Sequence, residues 1–182
     1  MKGSTLKINH INMKTLTKFK SKWRFMVPII FLLPLLGGCQ DQGLPDEEGA
    51  EVPLSRVPDN PSYASLPLIG TQWKLIGFVD GKKNRIRLAK PGGGDSYKLI
   101  FEDTGEIKGH TSTNTAQGKY SLDIDSKVLI ISQFIYLTRL NEFFDGRYYI
   151  ESMNNVYSFD LSSKGLKLYY NTDKYLLFNP IE

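Results

Sequence analysis

The chain has 182 residues, enough for one ordinary domain plus additional segments, and its aromatic and charged fractions are those of a globular protein. Its formal net charge of +4 points to a polyanionic partner only until the charges are placed. Seven of the 23 Lys and Arg residues precede Cys39 and none of the 19 acids does. The remaining chain therefore carries 16 basic against 19 acidic residues, and the case for nucleic acid binding disappears.

Lys14, Lys18, Lys20, Lys22 and Arg24 lead into an apolar run from Phe25 to Leu36, followed by Gly37 and Gly38. A basic region, an apolar core of about 7–15 residues and small residues, in that order, are the layout of a secretory signal. A spanning helix needs about 20 apolar residues, and Pro28 and Pro34 would interrupt one. Cys39 comes next. It is the only cysteine, so it has no partner for an intramolecular disulfide. The junction Leu36-Gly37-Gly38-Cys39 resembles the lipobox of bacterial lipoproteins. That resemblance implies removal of residues 1–38, acylation of Cys39 and attachment of the mature chain to a lipid bilayer. Each buried CH₂ contributes about 0.8 kcal/mol, so two or more acyl chains give stable anchorage. The alternative is a free thiol in a secreted protein. Gln40 stands where an inner-membrane retention signal would have Asp, so the outer membrane is the expected location, facing the periplasm or the cell surface.

Residues 39–66 are rich in Pro, Gly, Ser and acids and show no apolar period, so they read as a disordered tether. Asp46-Glu47-Glu48 within them loosely resembles the acidic surface-export signal of some lipoproteins, but a solvated spacer is the better reading. Residues 67–182 form the expected folded domain. "TQWKLIGFVD" and "NRIRLAK" read as strands, with a flexible hairpin tip at "PGGGD". "SYKLIFE" places Tyr97, Leu99 and Phe101 on one face, "DTGE" turns, and "EIKGHTST" returns. "GKYSLDID" places Tyr120, Leu122 and Ile124 inward, and the apolar run "KVLIIS" reads as a strand buried on both faces.

The period then changes. Tyr149 with Met153, and Ile150 with Met153, form a helical stripe, which Asp145 would cap and Asn154-Asn155 would end. A hairpin about Asp145-Gly146 is the alternative. "VYSFDL", "LKLYYN" and "KYLLFN" complete the chain. The expected fold is mainly β with one helix: an antiparallel meander of about eight strands curled into a small barrel or half-barrel. Trp73, Tyr97, Phe101, Tyr120, Leu122, Phe159, Leu168 and Leu177 are its expected core.

The order of these segments resembles the META domain of HslJ-type heat-shock lipoproteins. Gly70-Thr71-Gln72-Trp73 is similar to that family's opening motif, Phe101 with Gly105 to its first hairpin, and Gly109, Asn114, Gly118 and Tyr120 to the segment that follows. The family often has a cysteine where this chain has Thr113. The resemblance covers residues 68–180 and implies a non-enzymatic envelope role, sometimes linked to stress.

No motif for chemistry stands out. After the leader, His110 is the only histidine, so a zinc site lacks ligands. No Gly-x-Ser-x-Gly elbow accompanies it, and "PGGGD" lacks the ending of a phosphate loop. No cofactor and no metal is expected. Lys82, Lys83, Arg85 and Arg87 form a basic cluster able to meet an anionic partner, although a solvated strand and turn is the better reading. Tyr169, with Tyr175 and Phe178 if the three share an outer face, offers an aromatic patch to a partner. The function expected is that of a membrane-anchored envelope lipoprotein binding an envelope protein. A barrel carrying a lipid or hydrophobe, and an inhibitor or assembly-assisting lipoprotein, are the alternatives.

Overall fold

The computed structural model describes residues 49–90 and 94–181. Cys39, its lipobox and the first three residues of "PGGGD" lie outside the described residues. Within them the chain forms ten strands and one α-helix: β1 (Glu51–Pro53), β2 (Gln72–Asp80), β3 (Arg85–Leu88), β4 (Lys98–Phe101), β5 (Glu106–His110), β6 (Thr115–Asp123), β7 (Val128–Tyr136), α1 (Gly146–Asn154), β8 (Ser158–Ser162), β9 (Gly165–Asn171) and β10 (Lys174–Pro180).

The named strands pair antiparallel throughout. From β4 to β10 each strand neighbours the next, β10 then pairs with β2, and β2 returns to β4. Eight strands thus close into a ring. The nine residues of β2 make this possible because one of its edges is shared. Gln72, Trp73 and Lys74 face Ile100, Leu99 and Lys98 of β4, whereas Gly77 to Asp80 face Leu88 to Arg85 of β3. Two glycines of the β4–β6 hairpins are required by geometry. Gly105 turns with φ 83°, a conformation that costs other residues their side-chain clearance. A β-carbon on Gly109 would overlap the Lys98 carbonyl oxygen across the ladder.

Alternation along each ring strand sends one set of side chains inward. Trp73, Tyr97, Phe101, Phe134, Tyr149 and Phe178 are fully buried there. The Trp73 indole N–H, which would otherwise be a costly unpaired donor, donates to the Leu68 carbonyl at 3.2 Å. Tyr149 enters from α1 and meets Tyr97 at 5.2 Å and Phe134 at 5.8 Å between ring centroids, both edge to face, a favoured aromatic geometry. The helix therefore contributes a plug to the interior through Tyr149 and Met153, and the hairpin alternative is not the conformation adopted.

Four expectations are corrected. First, the tether does not run to residue 66. β1 pairs with β3, and two 3-10 turns (Leu54–Arg56 and Pro61–Ser65) carry the chain onward. Val52 and Val57 are buried against Val79, Ile86, Leu88, Tyr175 and Leu177, a second cluster on the outer face of β2, β3 and β10. Asn60 and Asp59 bond to Ser163, and Lys164 donates to Asp59 and to the Val57 carbonyl. Composition concealed this because two apolar residues, Val52 and Val57, suffice once an apolar outer face exists to receive them. Second, β7 is buried on one face only: Leu129, Ile131 and Phe134 point in, while Val128, Ile130 and Ile135 are exposed. Third, Ile124 lies beyond the end of β6 in the turn and is 67% exposed, while Tyr120 and Leu122 are only partly buried. Fourth, Leu177 belongs to the outer cluster, and Phe178 to the interior, so Phe178 shares no face with Tyr175.

Two outcomes follow. Val57→Asp places an unpaired carboxylate under the outer cluster and lowers stability by about 3 kcal/mol in urea unfolding, whereas Ile124→Ala changes it by under about 0.5 kcal/mol. Burial, and then the Tyr169 phenol beside it, push the Tyr175 phenol from 10 up to about 12. The folded state thus favours neutral Tyr175: its contribution is whole below pH 10 and is lost as pH rises toward 12. Tyr175→Phe accordingly flattens the loss of stability over that interval.

Candidate functional site

The four basic residues singled out from the sequence do not form a free cationic patch. Lys83 pairs with Asp80 at 3.7 Å, Arg85 with Glu51 at 2.7 Å and Arg87 with Asp145 at 2.6 Å, while Lys82 is exposed in the β2–β3 turn. Tyr169 packs on Tyr175 with centroids 5.1 Å apart and is partly buried against the outer cluster.

Arg87 organises a shallow cleft of about 350 Å³. Its guanidinium lies 4.5 Å from the centre of the Phe78 ring and 5.7 Å from that of Tyr148, close enough for cation–π attraction. The Tyr148 and Tyr170 hydroxyls are 3.0 Å apart, and burial first, then this hydrogen bond, holds the Tyr170 phenol above the ordinary tyrosine range. The Asp145 carboxylate is consumed here. It accepts from Arg87 and from the Lys90 N–H at 3.2 Å. Asp145 stands at the N-terminus of α1 as expected, but its side chain makes no cap hydrogen bond, because the arginine has claimed it.

A second and larger feature lies at the opposite face of α1's first turn. Residues 137–145 join β7 to α1 and border a groove of about 930 Å³, whose lining includes Ile135, Tyr136, Leu140, Arg139, Arg147 and Ile150. A knot of buried polar groups from the β5–β6 turn fixes this loop. The Asn114 amide donates to the Leu140 carbonyl and accepts from Leu140 N–H, both at 2.9 Å, and accepts from the Thr138 hydroxyl at 2.6 Å. Thr113 donates to the Asn141 carbonyl at 2.9 Å, and Ser112 Oγ accepts from the Phe143 N–H at 3.1 Å. The Glu142 carboxylate accepts from Thr111, Ser112 and Asn114. Asn114 was visible in the sequence only through the family resemblance, and Glu142 carried no signal at all.

His110 is half-buried at the end of β5, opposite Thr115, and among the described residues no serine or carboxylate hydrogen-bonds to it. Among the same residues no group of three or more His, Cys, Asp or Glu side chains is arranged to hold a metal. The arrangement is one of surfaces: an ion-paired aromatic cleft, and an apolar strand face continuing into a pinned apolar loop.

No protein-family model matches the chain, and no curated protein matches it. Two solved structures are similar to it. One is a protein from Burkholderia xenovorans solved by NMR, 18% identical, with a TM-score of 0.50, covering 76% of this chain and 97% of that one. The other is a crystal structure of a DUF4847 family protein from Bacteroides vulgatus, 15% identical, with a TM-score of 0.44, covering 66% of this chain and 96% of that one. The first likeness concerns the fold alone.

Glu142→Ala leaves Thr111, Ser112 and Asn114 without their shared acceptor. Stability falls by about 1–3 kcal/mol, and amide exchange over residues 137–144 accelerates while that of β10 does not. Unchanged exchange in the loop would show that the knot does not hold it.

Proposed function

We propose that the chain is a cell-envelope lipoprotein, acylated at Cys39 and held at the outer membrane, whose META-like β domain binds an envelope protein and carries out no reaction itself. The lipobox-like junction supports the anchor, and the spacing of Gly70, Trp73, Gly105, Gly109, Asn114 and Gly118 supports the META likeness. The observation that carries the binding role is the outward face of β7. Val128 and Ile130 project apolar side chains from a strand whose inner face is already satisfied by Leu129, Ile131 and Phe134. A half-apolar strand face of this kind fits a contact surface. The interior supports the same choice over the carrier alternative, because Trp73, Phe101, Phe134 and Tyr149 fill the space a hydrophobe would need. Lys82, alone in the original basic cluster without an ion pair among the described residues, remains available to a partner.

Cross-linking in intact envelopes tests this. The lipidated chain recovers a defined envelope protein. A Val128→Glu, Ile130→Glu version stays with the membrane and loses that protein, and Cys39→Ala loses both. If chains with and without Cys39 recover the same soluble proteins and neither sediments with membrane, the reading fails.

A further inference from the structure

The loop that joins β7 to α1 is built inside out for a loop in water. Four of its backbone groups are turned toward the protein: Leu140 N–H and carbonyl onto Asn114, the Asn141 carbonyl onto Thr113, and Phe143 N–H onto Ser112. Its one acid before Asp145, Glu142, is folded back onto Thr111, Ser112 and Asn114. Its apolar side chains point the other way. Leu137, Leu140, Phe143 and Phe144 are 51%, 63%, 56% and 65% exposed. Phe144 is held outward with φ 48°, a conformation that bulky residues avoid unless their surroundings enforce it. Exposed apolar side chains on a loop pinned through its backbone suit a segment that rests in the headgroup layer, where water still reaches the remaining amides.

The charges agree. Arg139 and Arg147 flank the apolar side chains and, among the described residues, have no acidic partner. Of the acids nearby, Glu142 and Asp145 are engaged, and Glu151 lies one helical turn from Arg147 in the same lining. Arginines at the rim of an apolar tip suit the phosphates of an anionic bilayer surface.

The position of Gly49 supplies the third observation. Gly49 lies so close to Lys90 that a β-carbon there would overlap the Lys90 side chain. Lys90 N–H donates to Asp145, the residue directly after Phe144. Gly49 is therefore placed, by way of Lys90, near the end of this loop. Gly49 is ten positions after Cys39, so at about 3.3–3.6 Å per residue an acylated cysteine keeps this end within roughly 35 Å of the bilayer.

We propose that residues 137–144 rest in the headgroup layer of an anionic bilayer, with Leu137, Leu140, Phe143 and Phe144 reaching the upper acyl segments and Arg139 and Arg147 against lipid phosphates. The domain would then touch its membrane at two points, the acyl anchor and this loop. The proposal rests on the anchored reading for its placement, and the experiment separates the two. The full chain, produced in cells that process lipoproteins, is reconstituted with phosphatidylethanolamine–phosphatidylglycerol vesicles bearing brominated acyl chains. Phe144→Trp places a reporter in the loop. Ile124→Trp places one in the turn before β7, nine strand residues away and about 30 Å along the strand. The unsubstituted chain supplies the background from Trp73.

The expected result is a blue shift and a roughly twofold loss of added emission for Phe144→Trp, with Ile124→Trp unquenched, and weakening of the loop signal by Arg139→Glu with Arg147→Glu. Flotation of the chain with the vesicles, and its loss in Cys39→Ala, reports the anchor independently. A chain that floats while Phe144→Trp remains unquenched keeps the anchor and overturns the loop proposal, leaving the loop to a protein partner. Equal quenching at both reporters overturns it as well. Quenching confined to Phe144→Trp in a chain whose flotation does not depend on Cys39 upholds the loop and defeats the anchor.

Discussion

The architecture depends on three residue pairs. Where Gln72, Trp73 and Lys74 meet Ile100, Leu99 and Lys98, the first ring strand in the chain returns to the second and the meander closes. An open sheet of these strands would have two unpaired edges and one wet face. Closure gives every inward side chain a partner on several sides, and only then can Trp73, Phe101 and Phe134 be wholly excluded from water. The length of β2 is what permits it, because a strand of ordinary length could not serve β4 with one half of an edge and β3 with the other.

Closing the ring creates a second requirement. β2 and β10 are apolar on both faces, and a ring can bury only one of them. The chain meets this with its own N-terminal segment, laying Val52 and Val57 over Val79, Ile86 and Leu177. The same segment brings Gly49 to Lys90, whose N–H is bonded to Asp145 at the start of α1. The face of β7 that receives no such cover is left exposed.

Polar groups act in two distinct ways around α1. The Arg87–Asp145 pair ties the helix start to β3 across an aromatic shelf, and the Asn114–Glu142 knot ties the preceding loop to the β5–β6 turn. Each uses an acid that a local reading would assign elsewhere. Asp145 has the position of a helix cap, yet the arginine one strand away supplies a charged, partly desolvated partner, and that contact prevails over backbone capping. Glu142 sits in a loop where an acid ordinarily faces solvent, yet three donors converge on it. Neither outcome is contained in the sequence neighbourhood of the residue.

What the amino-acid order determined by itself is the set of elements and their inward faces. The strict alternation of Tyr97, Leu99 and Phe101, the turn glycine Gly105 and the 149/153 stripe each arise from a local period, and local periods survive folding. The same order, through residues 36–39, carries the whole argument for an anchor. Tertiary structure alone decided which of two apolar faces would be covered. It buried Val57 in a segment that composition reads as tether, exposed Ile130 in a run that reads as core, and consumed Arg85 and Arg87 in ion pairs. These outcomes turn on what lies across space from each residue, a quantity set by the closure of the ring, and a one-dimensional pattern of apolar and polar positions does not contain it.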